Sequence, residues 1–473
     1  MNILGRKREQ EILGDCLDSD QAEFVVVYGR RRVGKTYLVR EYFNNEFAFY
    51  ATGINEVNMK EQLNYFNDSL IEYGSEEKKA PESWREAFNR LKEILTRPDI
   101  KKDPITGKKV VFLDELPWMD TAKSGFKTAL EHFWNSWGAS QKDLLLIVCG
   151  SATSWIIQNV LGNHGGLYNR ITRQIHLYPF SLGECEEFLR SKGFSLSRRD
   201  ITDCYMVFGG IPYYLNLLNR RYSIVQNIDV LLFQENGQLY YEYDRLFSSL
   251  YRKPQKHMEI IRALAKKRKG MTRTELISDT KIADGGLLSK AIEELEQCGF
   301  IRAYKNYVKK ATEQYYQLID PFVLFHLDFR IEKRYSSWTK YHGTPGYYAW
   351  RGNAYEILCL NHLPQIKAAL GISGVETMEY SWKSSAAKKG AQIDLLIDRM
   401  DNVINVCEMK YSTEPFEIDA NYEEDLLHKL EVFRKETKNE KTLHLTLICA
   451  SGMERNKHSN IVINMITGEE LFR

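Results

Sequence analysis

Residues Phe24 to Thr36 read FVVVYGRRRVGKT, and this stretch constrains the fold more than any other in the chain. An apolar run ends at Gly29, and a G-x-x-x-x-G-K-T pattern is complete at Gly29, Gly34, Lys35 and Thr36. A buried strand that turns through glycines into a helix leaves the first helical N–H groups unpaired. Those groups and the helix dipole attract phosphate. The pattern predicts a P-loop formed by Gly29, Arg30, Arg31, Arg32, Val33, Gly34, Lys35, Thr36 and Tyr37. Lys35 is expected to reach the β- and γ-phosphates, and the Thr36 hydroxyl to face Mg²⁺. ATP and Mg²⁺ are the cofactors expected.

The chain has 473 residues, too many for one core when a domain takes roughly 150. Hydrophobic residues make up 43%, which favours a folded protein over a disordered one. The net charge of +2 gives no whole-chain argument for nucleic acid, so any basic patch must be local. Eight cysteines without C-x-x-C pairs or zinc spacing read as reduced thiols. The opening MNILGRKREQEIL has no apolar signal core, and no run approaches the ~20 apolar residues of a membrane span. A cytoplasmic protein with no membrane partner is expected.

Apolar runs alternate with amphipathic stretches over the first 190 or so residues, at Phe24–Tyr28, Phe47–Ala51, Val110–Leu113, Leu144–Cys149 and Gln174–Leu177. That alternation predicts a parallel α/β sheet. Four parts are expected: an ATPase core over 1–194, a helical lid over 195–252, a winged helix over 253–340 and a last α/β unit over 347–473. The segment 342–346 reads as a linker.

Lys108–Glu115 reads as an apolar strand ending in two acids, the Walker B form. Asp114 is expected to hold Mg²⁺ and Glu115 to polarise the attacking water. Ser151, after the run Leu144–Gly150, is either a γ-phosphate sensor or a plain turn serine. Arg170 and Arg173 are either surface arginines or transition-state cations, in cis or from a neighbouring subunit.

Together Leu4-Gly5-Arg6-x-x-Glu9, the P-loop, Asp114-Glu115-Leu-Pro-Trp118, Cys149-Gly150-Ser151 and Gly210-Ile211-Pro212 resemble the archaeal-type ATPase family. These are AAA-related P-loop ATPases close to the signal-transduction (STAND) NTPases, and the resemblance covers about the first 330 residues. It implies that Arg6 lies by the adenine and that Pro212 packs near the nucleotide. The residues alone also leave Gly210–Pro212 open to being a helix–helix turn. Nucleotide-dependent self-association belongs to the same expectation.

Three helical stretches (His257–Lys266, Arg273–Ser278, Leu287–Gln297) and two strand-like runs predict the winged helix. Its third helix carries Glu293, Glu294 and Glu296, which would oppose phosphate in a groove. Basic residues flank it at Arg252, Lys253, Lys256, Lys266, Lys267, Arg268, Lys269, Lys305, Lys309 and Lys310. Backbone contacts to nucleic acid, aided by Tyr304 and Tyr307, stay open beside a purely coupling role.

In the last unit, Gln392–Ile397 and Val403–Lys410 read as a hairpin that brings Asp394 and Glu408 together. Two unpartnered carboxylates repel, and Mg²⁺ would resolve the repulsion. Glu408 and Lys410 are two apart on one strand and share a face. Glu356 sits on an amphipathic helix over Ala349–Leu363. This E…D-x(13)-E-x-K arrangement resembles the PD-(D/E)XK nuclease superfamily, though no proline precedes Asp394. The resemblance implies Glu356, Asp394 and Glu408 as metal ligands and Lys410 as the catalytic lysine. Three functions are expected to compete: a nucleotide-regulated, metal-dependent nuclease acting on nucleic acid, DNA or RNA, in defence or mobile-element processing, a STAND-like switch or scaffold with an inactive nuclease fold, and a DNA-binding regulator through the winged helix.

Overall fold

The apolar runs of the first 180 residues become five strands: β1 (Glu23–Tyr28), β2 (Phe49–Thr52), β3 (Lys109–Asp114), β4 (Leu144–Gly150) and β5 (Arg173–His176). The computed structural model describes residues 3–162, 167, 169–251, 253–307, 314–332, 336–384 and 390–473. The strands lie in the order β2-β3-β4-β1-β5, every pairing parallel. β3 and β4 are buried along their whole length, and β1 all but its last residue. That is why these strands read as unbroken apolar runs: a parallel sheet is covered on both faces. On one face lies a core built around Trp84, Phe88, Phe126 and Trp134. Parallel strands also put all their C-terminal ends on one edge, where α/β proteins bind ligands. The chain is an α/β protein with a parallel-sheet P-loop core.

The chain divides into two compact units, Met1–Pro179 and Phe180–Arg473. The second begins with the helices Leu182–Ser191 and Arg198–Phe208. Each is started by a capping box, Ser181 with Glu184 and Ser197 with Asp200. Gly209 and Gly210 turn the chain into Pro212–Asn216, where Pro212 takes the first helical position. Further on come Gln255–Lys266, β6 (Met271–Thr272), Arg273–Thr280, Gly286–Gln297, β7 (Ile301–Asn306) and β8 (Gln314–Leu318). The last stretch runs Pro345–Asn361, β9 (Thr377–Lys383), β10 (Gln392–Arg399), β11 (Val403–Lys410), helix Ala420–Thr437, β12 (Thr442–Cys449) and β13 (Asn464–Thr467).

Two features depart from the sequence reading. The segment 342–346 is not a linker: Thr344 accepts from the Tyr347 N–H as a cap and Pro345 opens the helix to Asn361. The hairpin β7–β8 is not confined to its own module either. β7 pairs in parallel with β9, making one sheet in the order β13-β12-β11-β10-β9-β7-β8-β6. Tyr307 fixes that seam. Its N–H donates to Ser381 O, and its ring packs on Tyr380 and Phe433.

Candidate functional site

The loop after β1 turns as its glycines require. Gly29 has φ 143°, and a Cβ there would meet Leu177 O at 2.3 Å. Gly34, at φ 92°, faces open space and caps the helix Lys35–Tyr42. The Lys35 ammonium is buried and donates to the carbonyls of Gly29 and Arg30, 2.9 Å each. Arg6 is buried too, and donates to Val33 O (3.2 Å) and Tyr178 O (2.7 Å). It thus clamps the back of the loop. Arg30 and Val33 are buried, Arg32 is half-buried, and Arg31 and Tyr37 are exposed.

Strand order explains the acidic side of the site. β4 lies between β1 and β3, so its end sits between the phosphate loop and Asp114-Glu115. The Thr36 hydroxyl lies within hydrogen-bonding reach of Asp114. Burial, then the Glu115 charge, push the Asp114 carboxyl up from its ordinary value. Two neighbouring oxygen donors of this kind suit Mg²⁺, which would supply charge neutralisation for a bound triphosphate. Glu115 holds a left-handed backbone at φ 46°. Its carboxylate accepts from the Ser151 hydroxyl (2.9 Å) and the Ser151 N–H (3.2 Å). Ser151 therefore aims the Glu115 side chain.

Arg173 pairs with Val25 and donates to its neighbour Thr172 O. Arg170, exposed, precedes it by three residues. Arg173 thus lies near the start of β1, at the other end of that strand from the phosphate loop. Pro212 belongs to the second unit, at the first position of the helix Pro212–Asn216. His176 escaped the sequence reading. At the end of β5 it stacks on Tyr28 (4.6 Å) and meets the tilted ring of Tyr178 (4.1 Å). Burial and the Lys35 charge lower its pKa to about 4.

In the second unit, β10 and β11 pair antiparallel with Leu395 opposite Cys407. One step along that register sets Asp394 opposite Glu408. The carboxylates do not share a cation. Lys269 Nζ donates to Glu356 Oε2 (2.6 Å) and to Asp394 Oδ2 (2.7 Å), while Gln392 Nε2 donates to Asp394 Oδ1 (2.8 Å). Glu408 is held elsewhere, by Lys429 (2.9 Å), the Tyr422 hydroxyl (2.7 Å) and Lys410 (3.1 Å). Burial raises the Glu408 carboxyl, but Lys429 and Lys410 outweigh it and the net shift is downward. Burial and the Asp394 charge push Glu356 up, against the pull of Lys269. A cavity of about 20 Å³ lies against Lys269, Arg302, Glu356, Gln392 and Asp394. Burial lowers the pKa of Arg302 to about 10.

These residues as arranged do not fit the expected metal, because ammonium groups already balance the three carboxylates. Among the described residues, no group of three or more His, Cys, Asp or Glu could hold a metal ion. Lys269, Lys429 and Tyr422 were missed by sequence reasoning. Lys269 stood inside a basic run that read as a surface flank.

That flank is not a free basic patch. Lys266 pairs with Asp279, Lys267 with Glu275, Arg268 with Asp328 and Lys269 with Glu356 and Asp394. Nor are the supposed nucleic-acid tyrosines free. The Tyr304 hydroxyl donates to Lys269 O, and Tyr307 packs at the seam. Glu293 and Glu296 are exposed on their helix, but Glu294 pairs with His257 at 2.8 Å. Lys253, Lys256 and Lys305 are exposed. Arg252, Lys309 and Lys310 lie outside the described residues.

The phosphate loop, the Walker-type acids and their order in the sheet define a P-loop ATPase. Residues 4–218 match a family model described as an ATPase domain predominantly from Archaea, and the chain carries an archaeal-type ATPase domain there. An uncharacterised protein of Methanocaldococcus jannaschii is 26% identical over 265 residues, 56% of this chain and 54% of that protein. The chain thus spans about half the length of this curated relative. An uncharacterised ATP-binding protein of the same organism is 40% identical over 44 residues, 9% of this chain and 75% of that protein. Among solved structures, a Walker-type ATPase of Pyrococcus abyssi aligns at TM-score 0.47 and 19% identity, over 69% of this chain and 97% of that one. An ORC2 protein of Aeropyrum pernix, in ADPNP and ADP complexes, aligns at 0.43 and 14%, over 69% and 93%. No helix among the described residues is long and apolar enough to cross a membrane.

Proposed function

We propose that this P-loop ATPase controls a C-terminal PD-(D/E)XK nuclease-like domain that acts on nucleic acid, DNA in the first instance. One observation carries the reading: register sets Asp394 opposite Glu408, with Lys410 on the same face and Glu356 joined to Asp394 through one ammonium. Unrelated strand-face charges have no reason to converge in this way across three elements. The order of helix, three antiparallel strands, helix and a strand parallel to β11 supports the same fold. A winged helix over 253–340 precedes it on this reading, and 1–194 and 195–252 are the ATPase core and lid.

Each part has its work. Lys35, Thr36 and the loop amides bind ATP. Glu115, aimed by Ser151, takes the proton of the attacking water. Arg170, which is exposed, serves a neighbouring subunit in a nucleotide-dependent assembly in the cytoplasm. Metal-dependent cleavage of labelled DNA or RNA tests the nuclease half. Lys410→Ala and Asp394→Ala should each abolish it, and cleavage at the native rate by either variant would remove the reading.

A second reading, a nucleotide switch with an inactive nuclease fold, is favoured by the ammonium groups that already neutralise the carboxylates. It predicts that Lys35→Ala changes assembly while Lys410→Ala changes nothing.

A further inference from the structure

We propose that Lys269 is a built-in plug: its ammonium takes the place of a divalent cation between Glu356 and Asp394 and keeps the carboxylate cluster closed to metal. The inference rests on the nuclease-like reading of residues 347–473 and adds its regulation.

Lys269 lies outside the elements that carry the carboxylates. It comes from the turn between helix Gln255–Lys266 and β6, and its partners lie 87 and 125 positions along the chain. Its reach is fixed from behind. The Tyr304 hydroxyl donates to Lys269 O, and Gln317 Nε2 donates to Arg268 O at 2.8 Å. Two carboxylates facing each other in a partly buried site need a cation. A lysine supplies one unit of charge where a divalent ion would supply two, with no open coordination position. The cavity of about 20 Å³ against the pair has room for a single water or ion.

The plug is also built to leave. The Lys269 side chain is 38% exposed, on a four-carbon stem with freely rotating donors. Its turn ends at Gly270, with φ 90°. Rotation of that stem frees both carboxylates, while the backbone of the turn keeps its bonds to Tyr304 and Gln317. Glu408 stays paired with Lys410 and Lys429 in either state, so the ion would be held by Glu356 and Asp394.

The test uses the full chain without nucleotide, in a Thr36→Ala background that removes the P-loop hydroxyl from metal binding. Mn²⁺ binding is followed by calorimetry and thermal unfolding. Lys269→Met should bind Mn²⁺ at least tenfold tighter than the Thr36→Ala parent, with a Tm that rises on adding Mn²⁺. Lys269→Arg should behave like the parent, and Lys269→Met with Asp394→Asn should lose the gain. Should Lys269→Met fail to fold, Lys269→Gln keeps a hydrogen bond to one carboxylate and serves the same comparison. A folded Met or Gln variant that binds Mn²⁺ no tighter than the parent overturns the plug, as does a parent that already binds as tightly. Cleavage assays separate the two claims. Tight Mn²⁺ binding in Lys269→Met without cleavage of any nucleic acid upholds the plug and defeats the nuclease. Cleavage by the native chain with unchanged Mn²⁺ affinity in Lys269→Met does the reverse.

Discussion

Glu115 is held by two donors from one residue, the Ser151 hydroxyl and the Ser151 N–H. In the general-base role proposed for it, a group positioned in this way contributes about 10²–10⁴-fold to rate. Glu115→Gln should therefore lower kcat for ATP hydrolysis by about that factor while nucleotide still binds. Ser151→Ala keeps the N–H and loses the hydroxyl, so its kcat should fall by less and its KM should stay near the native value. Phosphate release and a nucleotide-binding titration measure both. A Ser151→Ala variant with a raised KM and native kcat would mean that Ser151 contacts nucleotide instead.

His176 makes the second residue-scale prediction. Its folded pKa of about 4 lies below the unfolded value of ~6.5. The unfolded chain therefore takes up a proton first as pH falls. Stability from the neutral, stacked ring is complete above pH ~6.5 and is lost on acidification toward the folded pKa. His362, with a pKa of about 4, and His326, of about 3, add to the same loss. His362 shows why: Nδ1 is bonded to Leu358 O and Nε2 accepts from the Leu182 N–H, so the charged ring would lose an acceptor. His176→Phe keeps the stack on Tyr28. Its Tm should fall less steeply than the native one between pH 7 and pH 5, and an unchanged slope would contradict the assignment.

At the scale of elements, the strands of the first unit were legible because each is one contiguous apolar run. β4 was read as Leu144–Cys149 and forms as Leu144–Gly150. The phosphate loop was legible for the same reason, since its chemistry is packed into thirteen consecutive residues. The β10–β11 hairpin was legible from alternation and a short turn. The seam between β7 and β9 was not, because parallel pairing leaves no local signal and its two strands lie some seventy positions apart. Tyr307, one of the two tyrosines offered to nucleic acid by the sequence, is half-buried at that seam. Tyr307 packs on Phe433 and Tyr380 and its hydroxyl accepts from Asn439. Tyr307→Ala should cost about 2–4 kcal/mol in urea unfolding, whereas Tyr307→Phe should cost about 1 kcal/mol for the lost hydrogen bond. Equal small losses would mean that the seam bears no weight.

Across the whole molecule, the carboxylates of the C-terminal fold could be found from spacing, but their state of charge could not. Lys269, Lys429 and Tyr422 reach Glu356, Asp394 and Glu408 from other elements. A basic run looks the same in sequence whether it meets DNA or carboxylates. Within the second unit, Arg351 and Tyr411 both bind Asp203 of helix Arg198–Phe208. Tyr411 directly follows Lys410, so the helices after residue 180 are tied to the strand that carries the candidate nuclease lysine.

The central claim is that nucleotide bound at Lys35 governs cleavage at Lys410. Cleavage of end-labelled DNA and RNA in Mn²⁺, with and without ATP, by the native chain, Lys35→Ala and Lys410→Ala, tests it most directly. The account predicts cleavage by the native chain that rises with ATP, loss of that rise in Lys35→Ala and loss of all cleavage in Lys410→Ala. Cleavage undiminished in Lys410→Ala, or none by the native chain under any of these conditions, would contradict it.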